Sequence, residues 1–262
     1  VRGVDGAEVD VRARVAVVSS AGVYNTFQRL IPPETAPPAL RAMVRELERT
    51  PQLGPNVSMM SLFVGLDEAE PLELPTTNTW LFPSLDHDAN WQAFHDDIQA
   101  PFPAVFISSP SAKDPRWRHK GRAAALVLAP AFYQPFAKWA DQRPRHRDQD
   151  YQALKASLTE RLLEVLYAEV PSARGKVTYT ELGTPLSNNT YLGAVKGEIY
   201  GVPQTPARFR LPWLRPSTPI KGLYLSGQDL LTNGVAGAAI GGLMCTAAVR
   251  PRSAPDAFSH LL

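Results

Sequence analysis

Cysteine is nearly absent from these 262 residues. Cys245 stands alone, so no disulfide can form within the chain. The five histidines (His87, His95, His119, His146 and His260) are scattered, and no pair has metal-ligand spacing. No metal is expected. No apolar run reaches the roughly 20 residues of a membrane span. The chain opens on Val1 and shows no secretory leader pattern. Charge of either sign is scarce in blocks: 27 Lys and Arg face 25 Asp and Glu, for a net charge of +2. That balance gives no tail for nucleic acid. The nearest approach, Arg143-Pro-Arg-His-Arg147, is short and broken by proline. It reads as a solvated loop rather than a phosphate or lipid-headgroup patch. Gly-x-Ser-x-Gly and Walker sequences are missing, which disfavours an α/β-hydrolase and a P-loop enzyme. Also missing is Gly-x-Gly-x-x-Gly after a strand, the usual opening of a dinucleotide fold.

What is present suits a globular protein with a sizeable core: 44% of residues are hydrophobic and 20% charged. The 25 prolines favour loops and short elements. Val9, Val11 and Val15-Ala-Val-Val18 read as strands, the last as a buried parallel one. Tyr24 to Leu30 reads as a short helix. Helices are also predicted at Pro37 to Thr50, Asn90 to Ile98, Ala131 to Ala140 and Tyr151 to Val170. The last carries Tyr151, Leu154, Leu158, Leu162, Val165 and Leu166 on one face. Strands are predicted at Ser58 to Leu66, Ala104 to Ser108, Ala123 to Ala129 and Lys176 to Leu182, with Leu72 to Phe82 pairing with the first of these. Strands mixed with helices, without strict βαβ alternation, imply an α/β core carrying an inserted α+β domain.

One stretch organises the rest. Gly222-Leu-Tyr-Leu-Ser-Gly-Gln-Asp229 reads as a short apolar strand with a glycine and an acid at its end. A helix rich in Gly and Ala follows, with Gly234, Gly237, Gly241 and Gly242 in its first turns. Such a helix start lets a ligand, or another backbone, come very close. Its free N–H groups favour an anionic or electron-rich partner.

Leu-Tyr-Leu-Ser-Gly-Gln-Asp with its Gly/Ala helix resembles the C-terminal FAD segment of the phytoene desaturase, carotenoid isomerase and retinol saturase flavoproteins. Ser109-Pro-Ser-Ala-Lys-Asp-Pro-Arg-Trp117, Thr184-Pro-Leu-Ser-Asn-Asn-Thr-Tyr-Leu192 and Gly197-Glu-Ile-Tyr-Gly201 sharpen the likeness toward the retinol saturases. The resemblance implies the C-terminal part of an FAD-binding domain (Rossmann-like, of glutathione-reductase type) with an inserted substrate domain. It places residues 1–24 in the FAD-binding domain, 25–178 in the substrate domain, 179–250 in a linker and the returning FAD-binding part, and 251–262 in a tail. Since family members carry the dinucleotide motif near their N-terminus, the chain looks like their C-terminal half and is expected to hold FAD weakly or not at all by itself.

The resemblance also assigns roles. Gly227 and Asp229 would meet the ribityl and phosphate region of FAD. The backbone from Gly234 through Val235 and Ala236 to Gly237 would face the flavin ring. The family often has Pro-Gly where this chain has Asn233-Gly234. Thr184 to Gly201 would run beside the flavin and a substrate tunnel. Asn188, Asn189 and Tyr191 are the substrate candidates, with Tyr200, Glu198 or Lys196 as proton donor. The alternative for that segment is a polar turn whose side chains cap neighbouring backbone. Lys113-Asp114-Pro115 reads as a turn with an exposed ion pair. The implied substrate is an isoprenoid polyene, a retinoid or carotenoid, with NAD(P)H as a possible electron donor. Peripheral contact with a membrane, the endoplasmic reticulum in a eukaryote, is implied as well. A non-catalytic remnant that only binds partners is the alternative outside enzymology.

Overall fold

The computed structural model describes residues 6–54, 58–67, 72–117 and 121–251. In chain order its principal elements are β1 (Val17–Ser19), α1 (Pro38–Arg49), β2 (Ser58–Asp67), β3 (Thr79–Leu81), α2 (His87–Asp96), β4 (Val105–Ser108), α3 (Pro110–Lys113), β5 (Arg122–Ala131), α4 (Gln149–Glu169), β6 (Val177–Gly183), α5 (Pro185–Leu192), α6 (Pro206–Phe209), β7 (Leu223–Leu225) and α7 (Gly234–Val249). The chain is mixed α/β and divides into two compact units. One is Asn56–Ile199; the other joins Val1–Pro55 to Tyr200–Leu262. These divisions fall later in the chain than the expected ones at 24/25 and 178/179.

The continuous unit is an antiparallel sheet in the order β3-β4-β5-β2-β6. Period-two patterning drives it. Met60, Leu62, Val64 and Leu66 of β2 and Ala123, Ala125, Val127 and Ala129 of β5 alternate into one core. β2 and β5 pair over ten residues, from Ser58 opposite Ala131 to Asp67 opposite Arg122. Leu158, Leu162 and Leu166 of α4 bury in the same core, with Phe94, Phe102 and Phe136. The predicted helix from Tyr151 to Val170 is α4. Asp148 starts it, its carboxylate accepting the Tyr151 amide at 3.0 Å. The expected partner of β2 in residues 72–82 differs. Only Thr79–Leu81 forms a strand there, and it pairs with β4. Both edges of β2 are already taken, by β5 and β6.

In the discontinuous unit β1 and β7 pair in parallel, Val17 opposite Leu223 and Ser19 opposite Leu225. The parallel pairing agrees with the sequence reading, but the burial does not. Val17 is 53% exposed and Val18 52%. Val9 and Val11 lie outside any strand. α1 forms as predicted, with Leu40 and Leu47 buried. Residues 25–30 make a wide, π-type helical turn. Trp213 closes this unit's core, packing against Phe27 at 6.3 Å between ring centres and donating its indole N–H to Glu46 at 2.7 Å.

Candidate functional site

The end of β7 and the start of α7 form the first candidate, in the discontinuous unit. Gly227 takes a φ of +96°, which L side chains rarely adopt. It ends β7 and turns the chain toward α7. The helix then lies directly on this turn: a Cβ at Gly241 would stand 2.1 Å from the Gly227 carbonyl oxygen. A Cβ at Gly237 would stand 1.7 Å from the Thr232 oxygen. The room at Gly237 is thus filled by the chain's own backbone, the second of the two occupants that the sequence left open. Gly234 and Gly242 face open space instead. Gln228 accepts the Gly234 amide at 2.9 Å. Beyond it the helix start is unobstructed, with Val235 and Ala236 exposed. The only buried positions of α7 are Gly237, Gly241 and Cys245, one turn apart. Burial pushes the Cys245 thiol pKa up, which keeps it protonated.

Asp229 has a different part from the expected one of accepting ligand hydroxyls. It is only 2% exposed. Its two oxygens accept the Val23 amide at 2.7 Å and the Val202 amide at 2.9 Å. Beside it lies Arg208, equally buried, which donates to the carbonyls of Val202, of Gln228 at 3.0 Å and of Asp229 itself at 2.8 Å. Burial lowers the Arg208 pKa and the Asp229 carboxylate works against that shift. The pair ties two other chain segments, at Val23 and at Val202–Arg208, to the β7 turn. Arg208 was missed in the sequence, where it is one arginine of Arg208-Phe-Arg210 with no periodic or motif context. An electron-rich group therefore fits the exposed amide end of α7, but not the Asp229 carboxylate.

The second candidate is in the continuous unit. Glu198 accepts the amides of Val195 at 2.8 Å and Lys196 at 2.7 Å, so its buried carboxylate closes its own turn. Asn188 donates to the Gly197 carbonyl at 2.9 Å, and Asn189 to that of Val195 at 3.3 Å. These three polar residues hold the 195–198 turn against α5. That geometry is the capping alternative. Lys196 and Tyr191 are exposed. Tyr200 is exposed in the discontinuous unit. In the Ser109 to Trp117 stretch, Lys113 bonds Asn78 and Ser108 rather than Asp114, which pairs with Arg116 at 2.7 Å.

What the sequence reading did not find is the sheet face opposite the core. Register puts Trp80, Phe106, Leu128 and Ser61 in one row across β3, β4, β5 and β2, with Leu126 and Phe63 in the next. Trp80 is 57% exposed and Phe63 51%. The Trp80 and Phe106 rings meet edge to face at 5.0 Å. A largely open, aromatic floor of this kind, with Glu181 opposite Phe63 and Lys113 bonded to Ser108 at its margins, suits a long apolar ligand. Alternation in β2 and β5 was the available signal: Phe63, Leu126 and Leu128 are apolar at positions that a one-sided sheet would give to polar residues. Among the described residues there is no metal-ligating cluster and no helix long and apolar enough to cross a membrane.

No protein-family model matches the chain. Known proteins do. It is 34% identical over 257 residues to the all-trans-retinol 13,14-reductase of Danio rerio, covering 94% of this chain and 41% of that protein. It is 33% identical over 247 residues to the human all-trans-retinol 13,14-reductase, covering 90% of this chain and 40% of that protein. The chloroplastic prolycopene isomerase of Arabidopsis thaliana is 25% identical over 247 residues, 94% of this chain and 37% of that protein. The chain thus spans about two fifths of the length of the curated relatives it matches. Over at least nine tenths of its length the chain is thus similar to all-trans-retinol 13,14-reductases, matching part of those longer proteins.

Proposed function

We propose that this chain is part of an FAD-dependent oxidoreductase that saturates one conjugated double bond of all-trans-retinol, giving 13,14-dihydroretinol. The observation that carries this reading is the similarity to two retinol reductases over at least 90% of the chain. The aromatic sheet face supports it, since a conjugated polyene needs a long apolar bed. FAD, when bound, supplies hydride to one end of the double bond, and NAD(P)H is its electron source. The chain's own residues do the rest. The amide end of α7, near Gly234, Val235 and Ala236, favours the electron-rich group. Arg208 and Asp229 hold the β7 turn in place. In the continuous unit, taken by itself, Trp80, Phe106 and Phe63 offer an apolar bed for the polyene. A proton must reach the other carbon, and Lys196, exposed in the same unit as that bed, supplies it, since Glu198 is engaged with its own backbone and Tyr200 belongs to the other unit. The exposed apolar sides of β1 and α7 are surfaces that the remaining length of such an enzyme would cover.

The test is the whole protein that contains this chain, purified and given retinol with a reducing cofactor. A flavin spectrum and a product heavier by one H2 are expected. A colourless protein that leaves retinol unchanged would overturn the proposal. The isomerase similarity favours a second reading, isomerisation or desaturation of a carotenoid on the same sheet face. A coloured protein whose product has the substrate's mass, or one H2 less, would select that reading.

A further inference from the structure

The two ends of the aromatic sheet face differ in chemistry. Register carries one of its rows from Ser108 on β4 through Leu126 and Phe63 to Glu181 on β6. From β3 to β6 the face crosses four strand spacings of about 4.8 Å, about 19 Å in all. The β3 end is aromatic. Trp80 stacks on Phe82 with 6.4 Å between ring centres and meets Phe106 edge to face. The cation at this end is Lys113, which donates to the Asn78 side-chain oxygen and to the Ser108 hydroxyl at 2.7 Å. This end gives a broad apolar surface with donors at its margin.

The β6 end holds an ion pair. Glu181 stands opposite Phe63, and Lys155 of α4 reaches its Oε1 at 2.6 Å. Both side chains line a groove of about 620 Å³ that Phe63 also lines, so a ligand on the face runs directly into it. The Glu181 side chain is 54% exposed, and among the described residues its Oε2 has no partner. The Lys155 ammonium keeps further N–H groups. The pair is neutral as a whole, yet it offers an acceptor and a donor side by side. A hydroxyl uses both at once, donating to Oε2 and accepting from Nζ. A hydrocarbon end uses neither, and a carboxylate end meets the like charge of Glu181. Of the groove's two arginines, Arg147 is engaged. Its Nε donates to the Trp139 carbonyl at 3.3 Å and its guanidinium lies 5.0 Å from the centre of the Tyr151 ring. Arg145 is the group that a carboxylate end would need.

We propose that the polyene alcohol lies across the strands, its ring end on Trp80 and Phe106 and its hydroxyl on the Lys155–Glu181 pair, which selects an alcohol. The inference rests on the reading of the sheet face as the polyene bed, and two measurements on the whole protein that contains this chain separate them. In the first, retinal reports the orientation, because its aldehyde carbon stands where the alcohol carbon would. A lysine amine condenses with it, losing water, and cyanoborohydride reduces the imine to a stable amine that peptide mass spectrometry locates. The retinyl group is expected on Lys155, and excess retinol should suppress it. A retinyl group on Lys113 would reverse the orientation and overturn the proposal while leaving the bed intact. Labelling spread over exposed lysines and indifferent to retinol would sink the bed, and the proposal with it. In the second, fluorescence titration compares retinol, the same polyene without its hydroxyl, and retinoate. Retinol should bind about tenfold more tightly than the hydroxyl-free polyene, and Glu181→Met should erase that advantage. Equal affinities in the parent, or an advantage that survives Glu181→Met, would overturn the role of the pair with the bed still standing. Retinoate binding tighter than retinol, and lost in Arg145→Asn, would overturn it in favour of an acid.

Discussion

Replacing Asp229 by alanine should unfold the discontinuous unit before it affects any chemistry. The carboxylate accepts two amides, those of Val23 and Val202, from segments 206 and 27 residues away. Alanine leaves both N–H groups buried without a partner. Each costs about 1–3 kcal/mol, so the loss is about 2–6 kcal/mol. It also removes the anion beside a buried guanidinium, Arg208. Asparagine keeps one acceptor and turns an amide donor toward the other N–H, so about half of that loss is expected. With a urea dependence of about 1–3 kcal/mol per molar, the alanine variant should unfold roughly 1–3 M earlier. Hydrogen exchange locates the effect. The Val23 and Val202 amides should lose protection, while the β2 and β5 amides keep theirs. The reasoning fails if the alanine variant unfolds within about 0.3 M of the parent with both amides still protected. Loss of flavin from the whole protein in that circumstance would return Asp229 to the ligand.

Two glycines of the same helix should respond in opposite ways. Gly237→Ala puts a Cβ 1.7 Å from the Thr232 oxygen and should lower thermal stability by about 1–3 kcal/mol or more, whereas Gly242→Ala meets open space and should gain up to about 1 kcal/mol from helix propensity. Equal melting temperatures for the two variants would refute the packing argument. Tyr151→Phe removes the buried hydrogen bond to Thr184 at 2.9 Å and should cost about 1 kcal/mol in denaturant titrations. Hydrogen bonds from Gln142, the Tyr151 amide and Trp139 hold the Asp148 carboxyl below its ordinary pKa. A depressed carboxyl contributes stability above the unfolded value of about 3.9 and loses it as pH falls through the folded one. Acid unfolding of the parent should therefore be steeper over that range than that of Asp148→Asn. Superimposable acid curves would count against it.

The local chemistry of this chain was legible in its sequence. Apolar spacing placed α1 and α4, alternation placed β2 and β5, and the Gly/Ala run placed α7. These elements follow from patterns within a dozen residues, and local propensity and patterning act at that range. The quoted motifs also pointed to the retinol saturases, and the chain is 34% identical over 257 residues to a retinol reductase. Partnership was decided only in three dimensions. β3 joins β4 because β2 has no free edge. Asp229 serves the backbone because residues 23 and 202 fold onto it. Gly237 and Gly241 are glycine for the sake of Thr232 and Gly227. Arg208, an ordinary surface-type residue by sequence, is buried because three carbonyls converge on it. The aromatic face needs the register of four strands at once. A hydrogen bond or a steric contact between residues far apart in sequence leaves no periodic trace in either partner. The sequence therefore names the groups, and the tertiary structure decides which of them remain free to meet a ligand.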